Sequence, residues 1–506
     1  MRRILSFVVA LSFVFGAVSL FAASADWNGY FRVKARTETT KVDTADKTYS
    51  TYAWQKLELY PVFTLSDNVA LKAGFFHQQY WGVGRTWGFK SGSAISQDTG
   101  GYAGPIDMDD NGANNSTAES TDPLANNQVL KDTLGVSAAW ATLTFMDKKI
   151  GVDVGRRINP MWGTGAFFGG NFAPDRIFVT YKTPGMGGMM IPFLVYEKRL
   201  DVDPSDTDDN VQQFLAGLIY IAPGKTLFGL TLSYLTSGKG IGRYGDATYN
   251  GAPGVTLVNG KLYIADLYID HKVKINDGMS IKPIFEIVWA TGKVADKTYT
   301  TYSGFPTGHA YNAFNGVPFG KNVNADILNL ILKAEIEMKD LVKITPEVIF
   351  QKAPKAGTTT DAYMNFWGTN EFCGSEYTLG NIFNGYKGGF SNGDKAQANS
   401  TLVAKLAVDI LAVEKAVKGL SAYVWFIYGM PLGKAKAATG TDVDKSDKAT
   451  MMELSFGMAY SIDANTTVGF DAAWAKTGEF VDGGAITTFT SKTTYTYLGA
   501  DLTIKF

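Results

Sequence analysis

Several stretches of this chain place charged side chains at every second position, an arrangement that could form a polar wall. In the first stretch Arg32, Lys34 and Arg36 alternate with valine and alanine. Successive side chains point to opposite sides of a β-strand, so these three cations would share one face. In contact with water, such a row could set the ion preference of a passage. It could also simply solvate a wall and pair with acids on neighbouring strands.

The other rows mix acidic and basic residues. A charged side chain that faces lipid at mid-bilayer costs about 2–4 kcal/mol, and less for acids or near the rims. If the opposite faces of these segments meet lipid, the charges must therefore point into a lumen. Together with the first row, we expect the lining of that lumen to include Lys56, Glu58, Asp266, Asp270, Lys272, Lys282, Glu286, Lys333, Glu335, Glu337 and Glu347.

Residues that could carry out a reaction are few. The chain has three histidines and a single cysteine, Cys373. A nucleophilic serine or cysteine needs a base within hydrogen-bond reach, and three histidines offer few candidates for that base. We therefore expect no enzyme. A barrel enzyme with a serine, a histidine and an acid at its rim is a disfavoured alternative.

One acidic stretch has the spacing of a calcium loop. Asp107, Asp109 and Asn111 match the pattern D-x-[DN]-x-[DN]-G over positions 107–112. The glutamate that completes such a loop stands one place late, at Glu119, and no helical pattern flanks it. A loop-bound calcium ion and an ordinary solvated acidic turn both remain open, and we expect no other cofactor.

The elements that carry the charged rows have a period of two. At 327–338 one face begins with Leu328, Leu330 and Leu332, while the other face carries a lysine and two glutamates. The same alternation occurs at 402–412, 451–462 and 497–506. These apolar faces are long enough for the roughly 9–11 residues with which a tilted strand crosses a bilayer. The pattern predicts membrane-spanning strands with one apolar and one polar face.

About eighteen such segments can be drawn along the chain, joined alternately by short and long links. Asp147-Lys148 is a short link, whereas 82–131 and 352–400 are long ones. A membrane barrel has this alternation because tight periplasmic turns face long external loops. The segments begin near Trp27, Tyr52, Val69, Thr133, Lys149, Asp175, Met189, Val211, Thr226, Leu262, Met279, Ala325, Leu341, Leu402, Leu420, Met451, Thr466 and Thr493.

These observations predict an all-β protein, a single closed antiparallel transmembrane β-barrel of about 18 strands (16–18). Closure follows because an unpaired backbone N–H or C=O costs several kcal/mol in hydrocarbon. Beyond the N-terminal segment no apolar run is long enough for a helical span. The 47 basic and 48 acidic residues give no electrostatic case for nucleic acid.

The first residues have the features of a secretory signal. Arg2 and Arg3 precede an apolar stretch, and Ala23-Ser24-Ala25 supplies the small residues of a cleavage site. We expect residues 1–25 to be a signal peptide and residues 26–506 to form the barrel.

The last segment, 495–506, reads YTYLGADLTIKF and ends on Phe506. It resembles the C-terminal strand of Gram-negative outer-membrane porin-type β-barrels, in which apolar residues alternate up to a terminal phenylalanine. The resemblance implies insertion into the cell outer membrane, with Phe506 as a signal for the barrel-assembly machinery. Gly155-Arg156-Arg157 followed by Trp162-Gly163 is also similar, over a short stretch, to alginate-export-type barrels.

The sequence thus favours an outer-membrane porin-like channel. Small polar solutes or ions would diffuse passively through a charged, water-filled lumen, and outer-membrane lipid would surround the barrel. The solute and the oligomeric state stay open. The alternative is a surface-exposed structural or adhesive barrel that acts through its long loops.

Overall fold

The computed structural model describes the strands and short turns together with parts of the longer links. Within these residues no helix has the length and apolar character needed to cross a membrane. Just one short helix, α1 (Ala412–Ala416), occurs in the described part of the chain. The described residues are 24–42, 47–80, 135–157, 162–165, 174–200, 211–224, 226–237, 260–295, 322–352, 361–364, 380–382, 400–432, 450–478, 480–481, 489–490 and 492–506.

The strands follow one another along the chain with few other elements between them. In chain order they are β1 (Ser24–Asp26), β2 (Gly29–Val42), β3 (Thr48–Leu59), β4 (Val62–Ser66), β5 (Val69–Tyr80), β6 (Gly135–Phe145), β7 (Ile150–Arg156), β8 (Asp175–Tyr181), β9 (Thr183–Gly185), β10 (Gly188–Leu200), β11 (Val211–Ile221), β12 (Leu227–Ser237), β13 (Gly260–Asp270), β14 (Val273–Asn276), β15 (Met279–Ala295), β16 (Asn322–Met338), β17 (Val342–Gln351), β18 (Asp361–Met364), β19 (Thr401–Asp409), β20 (Leu420–Pro431), β21 (Met451–Ser461), β22 (Thr466–Thr477), β23 (Phe480–Val481), β24 (Phe489–Thr490) and β25 (Thr493–Lys505).

The sheet closes into an antiparallel barrel of eighteen strands, as the sequence predicts. Each barrel strand pairs with the next along the chain, and β2 pairs with β25 to complete the ring. Three barrel strands consist of two consecutive segments: β3 with β4, β8 with β9, and β13 with β14. Three further pairings lie outside the ring: β1 with β4, β18 with β16 in parallel, and β23 with β24.

The first and last strands of the ring meet at the closure. Tyr30 lies opposite Lys505, and the Phe506 N–H donates to the Gly29 carbonyl at 3.1 Å. The Gly29 N–H donates in turn to the Phe506 carbonyl at 2.8 Å. Because the ring has no free edge, the backbone groups of its first and last strands are hydrogen-bonded within the protein.

In contrast to a water-soluble barrel, the sheet has its apolar side chains on the outer face and polar side chains on the inner face. On β21, Leu454, Phe456, Met458 and Tyr460 are 44–53 % exposed, whereas Glu453 and Ser455, at alternate positions, are fully buried. Other strands show the same order, with Leu332, Trp289 and Phe426 on the exposed face. An apolar band therefore surrounds the barrel, and the polar residues point inward.

The observed strands begin within four residues of the predicted starts, but three predicted strands are each divided in two. Prolines explain two of the breaks, because proline cannot donate to the ladder. Pro61 itself lies between β3 and β4. At the break between β13 and β14, Pro283 on the neighbouring strand faces His271, whose N–H donates to the Pro283 carbonyl at 3.2 Å.

The short turns lie at one end of the barrel, where backbone strain and side-chain capping tighten them. Asp340 has a positive φ of 60° in the turn between β16 and β17. Asp463 accepts the backbone N–H groups of Asn465 and Thr466 at 2.8 and 2.7 Å. These bonds stabilise the carboxylate and lower the pKa of Asp463 below its ordinary value.

The outward face yields a direct prediction. Leu332→Arg places a cation in the apolar band and should reduce the free energy of folding into lipid vesicles by about 2–4 kcal/mol near mid-bilayer. Leu341→Arg makes the same change in the exposed turn between β16 and β17 and should cost much less. Denaturant titration in vesicles measures both. Equal costs at the two positions would contradict the orientation of the sheet.

Candidate functional site

The inner face carries a row of cations on the strand that closes the barrel. We call Arg32, Lys34 and Arg36 on β2 the basic wall. Arg32 forms an ion pair of 3.4 Å with Asp501 of β25. Lys34 and Arg36 lie over the ring of Tyr497, at 5.8 and 4.7 Å from its centroid. Aromatic and acidic partners thus hold the three cations side by side.

The next strand continues the polar wall with a buried pair. Lys56 and Glu58 of β3 form an ion pair, and Tyr60 donates its hydroxyl to the same glutamate. Lys56 is opposite Arg32 in the β2–β3 register. The structure therefore brings the predicted residues of the first two barrel strands onto one polar surface.

A second group of predicted residues forms a mixed charge network on the strands from β13 to β17. Lys282 pairs with Asp270 at 2.8 Å. Glu335 lies between Lys333 and Lys343, at 3.6 and 3.4 Å. The same network includes Lys272 with Glu337 at 3.5 Å and, opposite Lys333 and Lys405, the buried Glu347. Because opposite charges alternate, this side of the lumen is polar with little net charge.

Residues 162–165, which we call the first inner segment, lie inside the barrel against this wall. The Thr164 N–H donates to Glu286 Oε2 at 2.7 Å, and the Thr164 hydroxyl bonds to the same oxygen. Glu286 and its neighbour Asp266 are fully buried. Of the predicted lining, these two acids therefore lie beneath the first inner segment, away from open water.

The indole of Trp162 fixes the other end of the first inner segment. Its ring packs edge-on against Phe193 of β10, with centroids 5.7 Å apart. It also covers Gly229 of β12, where a Cβ atom would come within 2.9 Å of the ring. The segment therefore covers the inner face from β10 to β15.

Residues 380–382, the second inner segment, lie against another part of the wall. The Asn381 N–H donates to Glu453 Oε1 at 2.6 Å, and the Ile382 N–H lies 3.2 Å from both oxygens of that carboxylate. Ser455 donates its hydroxyl to Glu453 as well. Glu453 is fully buried and Ile382 is 4 % exposed, so the contact excludes water.

Hydrogen bonds extend from the second inner segment toward the basic wall. Asn381 Nδ2 donates to the Tyr423 hydroxyl at 3.1 Å, and Tyr423 donates to Asp471 at 2.6 Å. Asp471 is opposite Gly499 of β25, which is opposite Arg36. Tyr423 also stacks on Trp425, with centroids 4.3 Å apart. The second inner segment and the basic wall therefore border the same part of the lumen.

The structure places the predicted residues on the polar wall of β2 and β3, in the charge network of β13 to β17 and, for Asp266 and Glu286, beneath the first inner segment. Their role as a pore lining stays a prediction. Sequence reasoning missed Glu453, although its alternation with Leu454 and Phe456 marks it as inward. It also missed Thr164 and Asn381, because links between strands carry no periodic signal. The predicted calcium ligands Asp107, Asp109 and Asn111 lie outside the described residues. Within the described residues no group of three potential metal-ligating side chains occurs.

Comparison with known proteins gives a match in fold alone. No family model and no curated protein matches the chain. Among solved structures of Pseudomonas aeruginosa, OccK9 (OpdG) is similar with a TM-score of 0.53 and 9 % identity over 96 % of this chain and 100 % of its own. OpdK with vanillate has a TM-score of 0.51 and 11 % identity over 95 % and 99 %. OccK2 (OpdF) in complex with glucuronate has a TM-score of 0.51 and 9 % identity over 95 % and 98 %.

The chain has the fold of porin-type outer-membrane barrels. This confirms the prediction of a porin-type barrel, which rested on the terminal strand and the alternating segments. A porin-type barrel of this size leaves room for water, whereas barrels of about eight strands are filled by their own side chains.

The wall also contains a buried ion pair that tests the packing of the inner face. Arg176 of β8 contacts Glu197 of β10, with side chains 5 % and 4 % exposed. Glu197→Ala leaves the guanidinium opposite a side chain that cannot accept its hydrogen bond. We expect a loss of about 3–5 kcal/mol in unfolding free energy.

Replacing both partners, Arg176→Met with Glu197→Leu, removes the buried charge as well and should recover most of that loss. Denaturant unfolding in detergent micelles compares the three proteins. A single variant as stable as the wild type would show that water solvates this pair.

Proposed function

We propose that the protein is a passive channel of the outer membrane for small polar solutes or ions. The observation that carries this proposal is the pairing of an apolar outer face with a charged inner face in a closed ring of eighteen strands. Barrels of about 16–18 strands enclose an aqueous passage. Outer-membrane lipid is the partner of the outer face.

The polar residues of the inner face favour a channel over a purely structural barrel. A barrel that served only as a scaffold would have no need for the cations Lys34 and Arg36 in the part of the lumen that the second inner segment also borders. The inner segments contact the wall from β10 to β15 and at β20 and β21, and the basic wall lies on β2, among the strands outside these two contacts. Solutes that pass along this part of the lumen meet the basic wall, which favours anions.

The transport step requires binding that is weak enough to release the solute. Arg32 already has Asp501 as a partner, and Lys34 and Arg36 lie over Tyr497. A passing anion exchanges part of its hydration for these cations without meeting a single deep site. No bond is made or broken in this process, and we propose no catalytic activity.

Planar bilayer recordings of the purified, folded protein test the function. We expect stable ohmic openings whose conductance falls when larger solutes are added. Vanillate and glucuronate, the small molecules in the OpdK and OccK2 structures, are suitable anionic probes. Silent bilayers would contradict the channel and favour a surface-exposed structural or adhesive barrel.

Charge reversal at the basic wall tests the route. Lys34→Glu with Arg36→Glu should move the reversal potential in a salt gradient toward cation preference, because the narrow passage then lies next to two acids. Lys274→Glu with Lys415→Glu makes the same charge change at exposed positions near the periplasmic turns. The control should leave the reversal potential close to that of the wild type. Equal shifts in both proteins would show that the route does not follow the basic wall.

A further inference from the structure

We propose that Glu286 and Glu453 are positioning residues, which hold the two inner segments against the wall and thereby set the width of the pore. The inference rests on the proposed channel function and assigns the width of that channel to two wall carboxylates. Both act through backbone groups of the inner segments, so neither needs to touch the solute.

The two contacts are built in the same way. In each, a fully buried glutamate on a barrel strand accepts a backbone N–H and a second hydrogen bond from an inner segment: the Thr164 hydroxyl at Glu286 and the Ile382 N–H at Glu453. Backbone donors inside a barrel need acceptors, because a buried N–H without one is costly. A carboxylate satisfies several donors at once and forms stronger hydrogen bonds than a neutral acceptor. Glu286 and Glu453 are therefore the groups that make the inward position of each segment favourable.

Glycines on the inner segments fit closely around the two carboxylates. A Cβ atom at Gly163 would overlap the carboxylate of Glu286, and the φ of +58° at this residue also favours glycine. A Cβ atom at Gly380 would lie 2.6 Å from both oxygens of Glu453. Both segments thus approach the wall at a residue that has no side chain. This fit is specific to the inward position, since an exposed link would accept a larger residue.

The two anchors are independent of each other. Glu286 is on β15 and Glu453 is on β21, with four barrel strands between them. The hydrogen bonds of Glu286 with Thr164 share no residue with those that Glu453 forms with Asn381, Ile382 and Ser455. Contributions from sites without shared partners usually add. The width of the pore should therefore respond to each anchor separately.

Neutral polymers of graded size measure pore width in single-channel recordings, because their entry depends on size and not on charge. We expect Glu453→Ala and Glu286→Ala each to raise the conductance and to admit larger polymers than the wild type. The double variant should admit larger polymers still. Asp277→Ala removes an acid that pairs with Lys274 in the exposed turn between β14 and β15, and should leave the polymer cut-off unchanged.

A second set of variants reaches the same contacts from the inner segments and leaves the wall intact. Gly380→Val and Gly163→Val should widen the pore as the matching alanine variants do. Combining Gly380→Val with Glu453→Ala should add nothing to either change alone, because both release the same segment. Because the glycine variants leave both glutamates in place, they test the same contacts even if an alanine at a buried wall position impairs folding. Circular dichroism and thermal unfolding confirm that each protein tested is folded.

The outcomes separate the anchoring proposal from the channel itself. A wild-type protein that forms no channel overturns the proposed function. A conducting wild type whose folded Glu453 and Gly380 variants keep its polymer cut-off overturns the anchoring role and leaves the channel in place. An equal change in cut-off for Asp277→Ala would also contradict it, since loss of any acid would then suffice.

Discussion

The need to satisfy backbone hydrogen bonds away from water governs this structure. A sheet with one apolar face gains from lipid contact only if none of its edges meets hydrocarbon. The chain meets this condition by joining its last strand to its first, with Gly29 and Phe506 exchanging two backbone hydrogen bonds. Closure in turn separates two environments. Along each strand, every second residue contacts lipid, and the residues between them surround a lumen.

The same requirement explains how links can enter the lumen. A link that leaves bulk water loses hydrogen-bond partners for its backbone, and the inner wall must replace them. Glu286 and Glu453 do so at two places, and Trp162 and Ile382 add apolar contacts beside them. In the proposed channel the charged wall has two roles, since part of it borders the passage and part of it holds the inner segments in place.

The sequence predicts the barrel well because a membrane strand has a simple requirement. Leu328, Leu330 and Leu332 must face lipid, so their alternation with polar residues survives in the sequence and locates β16 within a few residues. The number of strands follows from counting such segments. The breaks at Pro61 and beside Pro283 were not predicted, because they depend on which residue lies opposite in the neighbouring strand.

The site is less predictable than the fold. Alternation identifies Glu286 as inward, but it does not distinguish a residue that borders water from one that lies beneath a link. That distinction depends on contacts across 122 residues of sequence, between Thr164 and Glu286. Asn381 and Ile382 likewise belong to a link without periodicity, so their contact with Glu453 has no local signal.

The separation of a lipid-facing exterior from a hydrated lumen is the central claim, and site-directed spin labelling along β25 tests it most directly. Labels would replace residues 498 to 503 one at a time, after Cys373 is changed to serine. The structure predicts that oxygen relaxes labels at the even positions Leu498, Ala500 and Leu502 in lipid vesicles. A water-soluble nickel complex should relax labels at the odd positions Asp501 and Thr503 instead. A profile without this alternation would contradict the barrel described above.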